Sequence, residues 1–255
     1  MNANRTVSLS SAHSRSLDGN ALKLIAITAM LFDHLVYLFS FGIPLVQTGT
    51  FLWSLLHIPG KIVAPIMCYF IAEGYHYTSD KWKYLKRLLL FAVISHFPYV
   101  LYFQCTWWKT TSIMWGLAMG LGALMAVKSR RLSGLARGGI FLLCCGASLV
   151  STYDVLVVLW IVAFGLYRGD FKRQMQALCL ITFIGGPSAL LPGLVTTGWL
   201  DFYRAGTLLA IPLLALYNGK RGSHSAFAKY AFYVFFPLHH LILYVILCVA
   251  KGQIV

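Results

Sequence analysis

The chain has 255 residues, of which 59% are hydrophobic and 11% charged, with a mean hydropathy of +0.73. A soluble domain averages about 45–50% apolar and about 25% charged residues, so a soluble enzyme, a disordered chain and a secreted disulfide scaffold are excluded. The 21 Lys and Arg against 7 Asp and Glu give a net charge of +14, and most of that excess lies in short clusters between apolar runs, which points to anionic lipid rather than nucleic acid.

The first sixteen residues, rich in serine, are expected to form a disordered cytoplasmic tail. No small-residue cleavage site follows a short apolar core, so no removable signal peptide is expected. Residues 17–255 then form a single multi-pass domain. A bilayer core of about 30 Å needs roughly 20 apolar residues per helix. Runs of that kind place helices near 20–41, 61–79, 84–103, 111–127, 138–150, 154–167, 174–194, 206–218 and 230–250. The expected fold is an all-α polytopic transmembrane bundle of about nine spans. The fifth and sixth are short, and Gly138, Gly139 and Gly146 weaken the fifth. They are read as tilted or as a broken re-entrant pair, and eight or ten spans stay open.

The basic clusters set the orientation. Arg5 and Arg15 precede the first span; Lys81, Lys83, Lys86 and Arg87 lie between the second and third. Lys128, Arg130, Arg131 and Arg137, then Arg168, Lys172 and Arg173, then Lys220, Arg221 and Lys229 separate later pairs. With nine spans all these clusters share one side, which the positive-inside rule makes cytoplasmic. Lys61, Lys109, Arg204 and Lys251 fall opposite, and Lys23 lies just inside the first span. The N-terminus is therefore cytoplasmic, the C-terminus periplasmic or extracellular, and residues 42–60 and 195–205 face outward.

Ionisable groups inside apolar runs mark function or a buried partner, because each costs about 2.5–3.5 kcal/mol to insert. Asp33 and His34 lie about 20 Å along the first helix from its cytoplasmic end, at 1.5 Å per residue. His96 is at similar depth, Asp154 opens the sixth helix at the outer face, and His239 and His240 sit near mid-depth of the last. Glu73 and His76 lie in the inner half of the second helix, near Arg87. Two polar zones follow, one inner and one outer. His96 reads as a hydrogen-bonded packing residue, and His57 and His224 as loop residues. Asp33 can pair with Lys61 or Lys23. Consecutive helical residues point about 100° apart, so Asp33 does not naturally orient His34; if His34 is a base, its orienting carboxylate should come from another helix, or Asp33 serves a different partner. Six cysteines without ligand spacing read as small core residues. No metal site is expected, since His239 and His240 cannot both face one ion from a regular helix.

Lys83, Lys86 and Arg87 crowd the start of the third helix after the Thr78-Ser79-Asp80 cap. A basic helix start beside a small-residue loop suits phosphate or anionic lipid.

The segments LKLIAITAMLFDHL, PGKIVAP, EGYHYT, KYLKRLLLFAVISHFPY, YDVL at 153–156 and KYAFYVFFPLHHLIL occur in this order. On them the chain resembles the TraX family, over most of residues 20–105 and 150–250; Lys61 stands where many relatives carry arginine and His96 where an acid is common. The resemblance implies a bacterial inner-membrane acetyltransferase that takes acetyl-CoA and modifies the N-terminal amine of a pilin or other peptide. Relatedness to acyltransferases acting on exported glycans implies an alternative, O-acetylation of a carbohydrate or lipid. A non-catalytic pilus-assembly protein and a transporter are the remaining readings; no internal repeat favours the last. For the enzyme reading, His34 is the first choice of base and His239 the second. Asp33 or Asp154 would orient the base or hold the ammonium. Arg87, Lys86 and Lys83 would bind coenzyme phosphates, with Glu73 and Lys61 as further cofactor contacts.

Overall fold

The computed structural model describes residues 16–185, 198–222 and 226–252. The tail at 1–15, the far part of the expected 174–194 helix, residues 195–197 of the expected outward segment, and His224 lie outside them. All regular structure among the described residues is helical. α1 spans Gly19–Tyr37 and continues as a π-helical turn, Leu38–Gly42. α2 (Phe51–His57) leads through a 3-10 turn, Pro59–Ile62, into α3 (Val63–Tyr77). α4 is Lys81–Phe103, α5 Ile113–Val127, α6 Gly134–Ser148, α7 Asp154–Leu166 and α8 Phe171–Gly185. A 3-10 segment, Gly198–Leu209, runs into α9 (Ala210–Ala215), and α10 is Ala226–Ala250.

Four stretches are long and apolar enough to cross a membrane, as expected of a membrane protein: Gly19–Gly42, Phe51–Tyr77, Lys81–Phe103 and Ala231–Ala250. The helices α5, α6 and α7 have 15, 15 and 13 residues. At 1.5 Å per residue each covers only about 20 Å of the roughly 30 Å hydrocarbon layer. The expectation of about nine full spans therefore meets four helices of spanning length among the described residues. α6 and α7 are continuous helices, not a broken pair.

One boundary is corrected. Residues 42–60 were expected as an outward loop, yet 51–62 are helical. Thr50 caps α2, its hydroxyl accepting from Trp53 N at 3.2 Å, and Pro59 starts the 3-10 turn, where its missing N–H leaves no bond unmade. Asp80 caps α4 in the same way, accepting from Lys83 N at 2.8 Å.

The core is built on α3, α5 and α7. Leu117, Leu121, Leu124, Val157, Ile161 and Phe164 are almost wholly buried. Small residues let these helices touch: a Cβ on Gly120 would stand 2.4 Å from Ile161, and one on Gly165 2.4 Å from Leu124. α6 is peripheral, with Leu135, Leu142 and Leu143 exposed as on a lipid-facing helix.

Candidate functional site

Two cavities lie at opposite ends of α1, α3 and α4 and on successive turns of α10, and are called outer and inner after the orientation expected from the sequence. The outer one, about 340 Å³, is lined by Met30, Asp33, His34 and Tyr37 of α1 and by Val63 and Ala64 of α3. Tyr99 and Phe103 of α4 and Phe236 and His240 of α10 complete its central wall. The inner one, about 920 Å³, is lined by Gly19 and Lys23 of α1, Phe70, Glu73 and Tyr77 of α3, Tyr84 and Arg87 of α4 and Tyr233 of α10. A small cavity of about 70 Å³ shares Lys23, Phe70, Tyr84 and Tyr233 with the inner one and reaches Met67, Leu88 and Leu117. From Lys23 to His34 along α1 is eleven residues, about 16 Å.

In the outer cavity the first partner of Asp33 is a surprise. His57 Nδ1 lies 2.6 Å from Asp33 Oδ1, and Lys61 Nζ 3.0 Å from Asp33 Oδ2. His57 was expected in a loop; it is the last residue of α2 and 5% exposed. The physical reason is Gly60. A Cβ there would sit 2.3 Å from Asp33 Cβ, so only glycine lets the turn lie flat on α1. His57, Gly60 and Lys61 then present one face to Asp33. Trp53 and Tyr203 pack against the His57 ring, with centroids at 4.5 and 5.7 Å, and Lys61 Nζ lies 4.7 Å from the Tyr203 ring centre.

His34 finds its partner on another helix, but that partner is a histidine and not the expected carboxylate, while Asp33 serves different partners. His34 Nδ1 is 2.8 Å from His239 Nε2, and the two rings stack at 4.9 Å with planes 6° apart. The hydrogen-bond network assigns the protons. His239 Nδ1 lies 2.8 Å from the Phe235 carbonyl and His240 Nδ1 2.9 Å from the Phe236 carbonyl. A carbonyl only accepts, so both rings carry hydrogen on Nδ1. His239 Nε2 is then an acceptor, His34 Nδ1 donates to it, and His34 Nε2 keeps its lone pair. Tyr102 holds the backbone at this point, its hydroxyl donating to His34 O at 2.5 Å.

The expectation that His239 and His240 could not face one point is corrected. Ring nitrogens of His34, His239 and His240 lie within 4.8 Å of one another. Adjacent Cα–Cβ bonds diverge, but each ring swings back along the helix to the carbonyl four residues earlier, and the rings converge. That spacing would admit a metal ion. The His34–His239 hydrogen bond already occupies one of the lone pairs such an ion would need, and His240 Nε2 is buried without a hydrogen-bond partner among the described residues. Asp154 does not belong to this group: it is exposed and does not line the cavity, while its neighbours Thr152 and Tyr153 do. His96 packs outside it, 3.1 Å from Thr111 Oγ1.

The inner cavity gathers cations. Lys23, Arg87, Lys220 and Arg221 line it, and Arg87 Nε is buried without a hydrogen-bond partner among the described residues. The carboxylates there are engaged: Asp18 caps α1 through Ala21 N at 2.8 Å, and Glu73 Oε1 accepts from Arg168 Nε at 2.9 Å. That bond raises the pKa of Arg168 above the ordinary arginine value. Sequence reasoning grouped Lys83 and Lys86 with Arg87, but both are exposed and only Arg87 turns to the cavity. Lys61 lies at the outer cavity instead, bound to Asp33. The segment Tyr217–Gly222 was read only as a charge cluster. It forms a wall: Gly19 N donates to Lys220 O at 2.8 Å, and Asn218 N to Leu17 O at 2.9 Å. Gly219 and Gly222 take φ of +79° and +84°, which lets the segment double back over the start of α1.

Comparison with known proteins follows this geometry. The chain is 30% identical to the probable fimbrial assembly protein FimC, serogroup H1, of Dichelobacter nodosus, over 93% of this chain and 98% of that protein. No solved structure matches it. The family model described as TraX protein matches residues 18–247, which contain both cavities, and the chain belongs to the TraX family.

Proposed function

We propose that the protein is a membrane-embedded acetyltransferase of pilus assembly, which moves an acetyl group from acetyl-CoA to the N-terminal amine of a pilin subunit. The observation that carries this reading is the placing of a basic cavity and a histidine-lined cavity at opposite ends of α1, α3 and α4, with α10 passing both. The pilus context rests on the family and on the fimbrial assembly name of the relative.

The inner cavity fits the nucleotide end of the donor. Arg87, Lys23, Lys220 and Arg221 offer charge-assisted contacts to phosphate, and Tyr77, Tyr84, Tyr217 and Tyr233 offer ring faces to a base. The small cavity beyond Lys23 leads a thin, neutral pantetheine arm toward the outer site. The thioester would then lie beside His34. An α-amine has a pKa of about 7.7–8.0 and must lose a proton to become a nucleophile. His34 accepts a proton from the attacking nitrogen on Nε2 as the carbon–nitrogen bond forms, with His239 holding the ring in place. No covalent enzyme intermediate is needed.

In this reading the protein lies in the bacterial inner membrane, N-terminus cytoplasmic, with about nine helical passes of which several are short. The basic ends at 81–87, 128–137, 168–173 and 220–221 face the cytoplasm, where acetyl-CoA is found. The pilin amine reaches the outer cavity from the bilayer or the periplasm. The test is mass spectrometry of pilin from cells carrying or lacking the gene. An acetyl group on the pilin α-amine in the first and not in the second is expected. An unmodified amine in both, with an acetylated glycan or lipid, favours the O-acetyltransferase alternative.

A further inference from the structure

The outer cavity is lined by three histidines, His34, His57 and His240. Nδ1 of His34 and of His57 is held by a second side chain, which leaves each a free lone pair on Nε2, whereas Nδ1 of His240 is bound to the backbone carbonyl of Phe236. His57 Nδ1 faces an oxygen of Asp33 at 2.6 Å. A carboxylate only accepts, so Nδ1 carries the hydrogen and Nε2 the lone pair. That Nε2 is buried and has no hydrogen-bond partner among the described residues, although His57 lines the cavity. A buried nitrogen of this kind is a site for a donor that is absent. His34 is arranged in parallel, with neutral His239 in place of the carboxylate.

Two bases in one cavity match a particular acceptor. An ammonium that becomes an amide loses two protons from nitrogen, one before it attacks and one as the carbon–nitrogen bond forms and the carbon–sulfur bond breaks. The balance is R–NH3+ + CH3CO–SCoA → R–NH–COCH3 + CoA–SH + H+. One proton ends on the departing sulfur and the other leaves the site. A hydroxyl acceptor loses only one proton, which passes to the sulfur, and needs one base.

We infer that His57 is a second catalytic residue, which takes the first proton from an ammonium, and that the pair of histidines suits this cavity to amines over hydroxyls. This rests on the acetyltransferase reading above. The partners assign the order. The imidazolium of His57 would stand against Asp33, so it can keep its proton until it is released. The partner of His34 is neutral, so a proton taken there is passed on to the sulfur at once. The charged and titratable groups that line the cavity with His57 are Asp33, His34 and Tyr37 from α1, Lys61 from the 3-10 turn, Tyr99 from α4, Tyr153 at the start of α7, Tyr203 from the segment before α9, and His240 from α10. Lys61 is held on the second oxygen of Asp33 and leaves the first to His57. Asp33 is a positioning residue in this scheme.

The test uses the purified full chain in detergent, acetyl-CoA, a short hydrophobic peptide with a free N-terminus, and its analogue with a hydroxyl in place of that amine. His57→Gln keeps hydrogen-bonding capacity but takes no proton, so only peptide already present as free amine can react. For an amine pKa near 7.8 that fraction rises from about 5% at pH 6.5 to about 80% at pH 8.5. The defect of His57→Gln relative to wild type should therefore shrink by about tenfold over this range, while that of His34→Gln stays. Asp33→Asn should follow His57→Gln. Thermal stabilisation by acetyl-CoA checks that each variant is folded. A His57→Gln defect of equal size at every pH, or no defect, overturns the inference and leaves the acetyltransferase reading standing. Equal transfer by wild type to the hydroxyl analogue overturns the preference for amines. Wild type inactive on both acceptors overturns the reading and this inference with it.

Discussion

Gly60→Ala is the smallest change that should open the outer site. The new methyl would stand 2.3 Å from Asp33 Cβ, 2.4 Å from Cγ and 2.6 Å from Oδ1. Favourable carbon contacts begin near 3.5 Å, so α1 and the 3-10 turn must part by about 1 Å. The Asp33–His57 and Asp33–Lys61 distances, 2.6 and 3.0 Å, would stretch to the edge of hydrogen bonding or past it. Each bond to a charged group is worth about 1.5–3 kcal/mol, and breaking a buried ion pair costs about 3–5 kcal/mol. With partial relaxation, a loss of about 2–4 kcal/mol is expected. The control is Gly139→Ala on α6, where a Cβ would meet nothing within 4 Å. That change replaces a helical glycine by alanine and should stabilise by about 0.5–1 kcal/mol. Unfolding of the detergent-solubilised chain, followed by helical circular dichroism against added denaturing detergent, measures both. If Gly60→Ala unfolds no earlier than wild type, the close contact is not what holds Asp33 to His57 and Lys61.

Three further expectations can be checked with simpler tools. Arg87→Ala should weaken acetyl-CoA binding about tenfold to a hundredfold, the worth of one charge-assisted contact, whereas Lys83→Ala and Lys86→Ala, on the exposed face, should leave it within about twofold; calorimetric titration with a non-hydrolysable acetyl-CoA analogue decides. His34→Gln should lower acetyl transfer by about a hundredfold to ten-thousandfold while the chain still binds acetyl-CoA, and near-normal turnover would make His34 a packing residue. Single cysteines at Ser129 and Gly222, in a background lacking the native six, should resist a membrane-impermeant reagent in intact cells, and one at Gln47 should react; the reverse pattern would sink the orientation and the cytoplasmic donor site.

Much of this architecture is legible in the chain, and the gaps have physical causes. The long helices follow from uninterrupted apolar runs, and the two polar zones from ionisable residues that interrupt them. That Asp33 does not naturally orient His34 followed from 100° per residue. The pairing of Asp33 with Lys61 was among those expected, but its second partner, His57, was missed because FLWSLLHIPG is a short apolar stretch ending in Pro-Gly, which reads as a loop until tertiary contact with Tyr203 and Asp33 is known. The usable signal was the spacing of His57, Gly60 and Lys61, three and four apart, which puts two donors and one small residue on one helical face. The pairing of His34 with His239 joins residues 205 apart in sequence, and no local pattern reports that. In the Lys83–Arg87 cluster, helical periodicity already separates Arg87 from its neighbours, since only positions sharing a face with buried Tyr84 and Leu88 turn inward. The Tyr217–Gly222 wall left one trace, an Asn-Gly turn and a second glycine three residues on.

The position of Lys61 explains why the proposed chemistry is divided between two cavities. Its cation is bound to Asp33 and covered by Tyr203, so the outer site has no free Lys or Arg among the described residues that line it with which to receive a phosphate. The inner site has four cations facing two carboxylates that are otherwise engaged. Moving an ionised group through the apolar middle of the bundle would cost at least the few kcal/mol that insertion of one charged side chain costs. A thioester arm carries no charge over the same distance. On the proposed reading the nucleotide therefore stays where the basic residues are, and only the acetyl group travels the roughly 16 Å that separate Lys23 from His34. On the same reading the apolar walls of the small cavity beside Lys23 (Met67, Leu88 and Leu117 among them) would keep water from the arm. This division asks the outer cavity to supply proton acceptors and the inner one to supply anion contacts, and the side chains are distributed in that way.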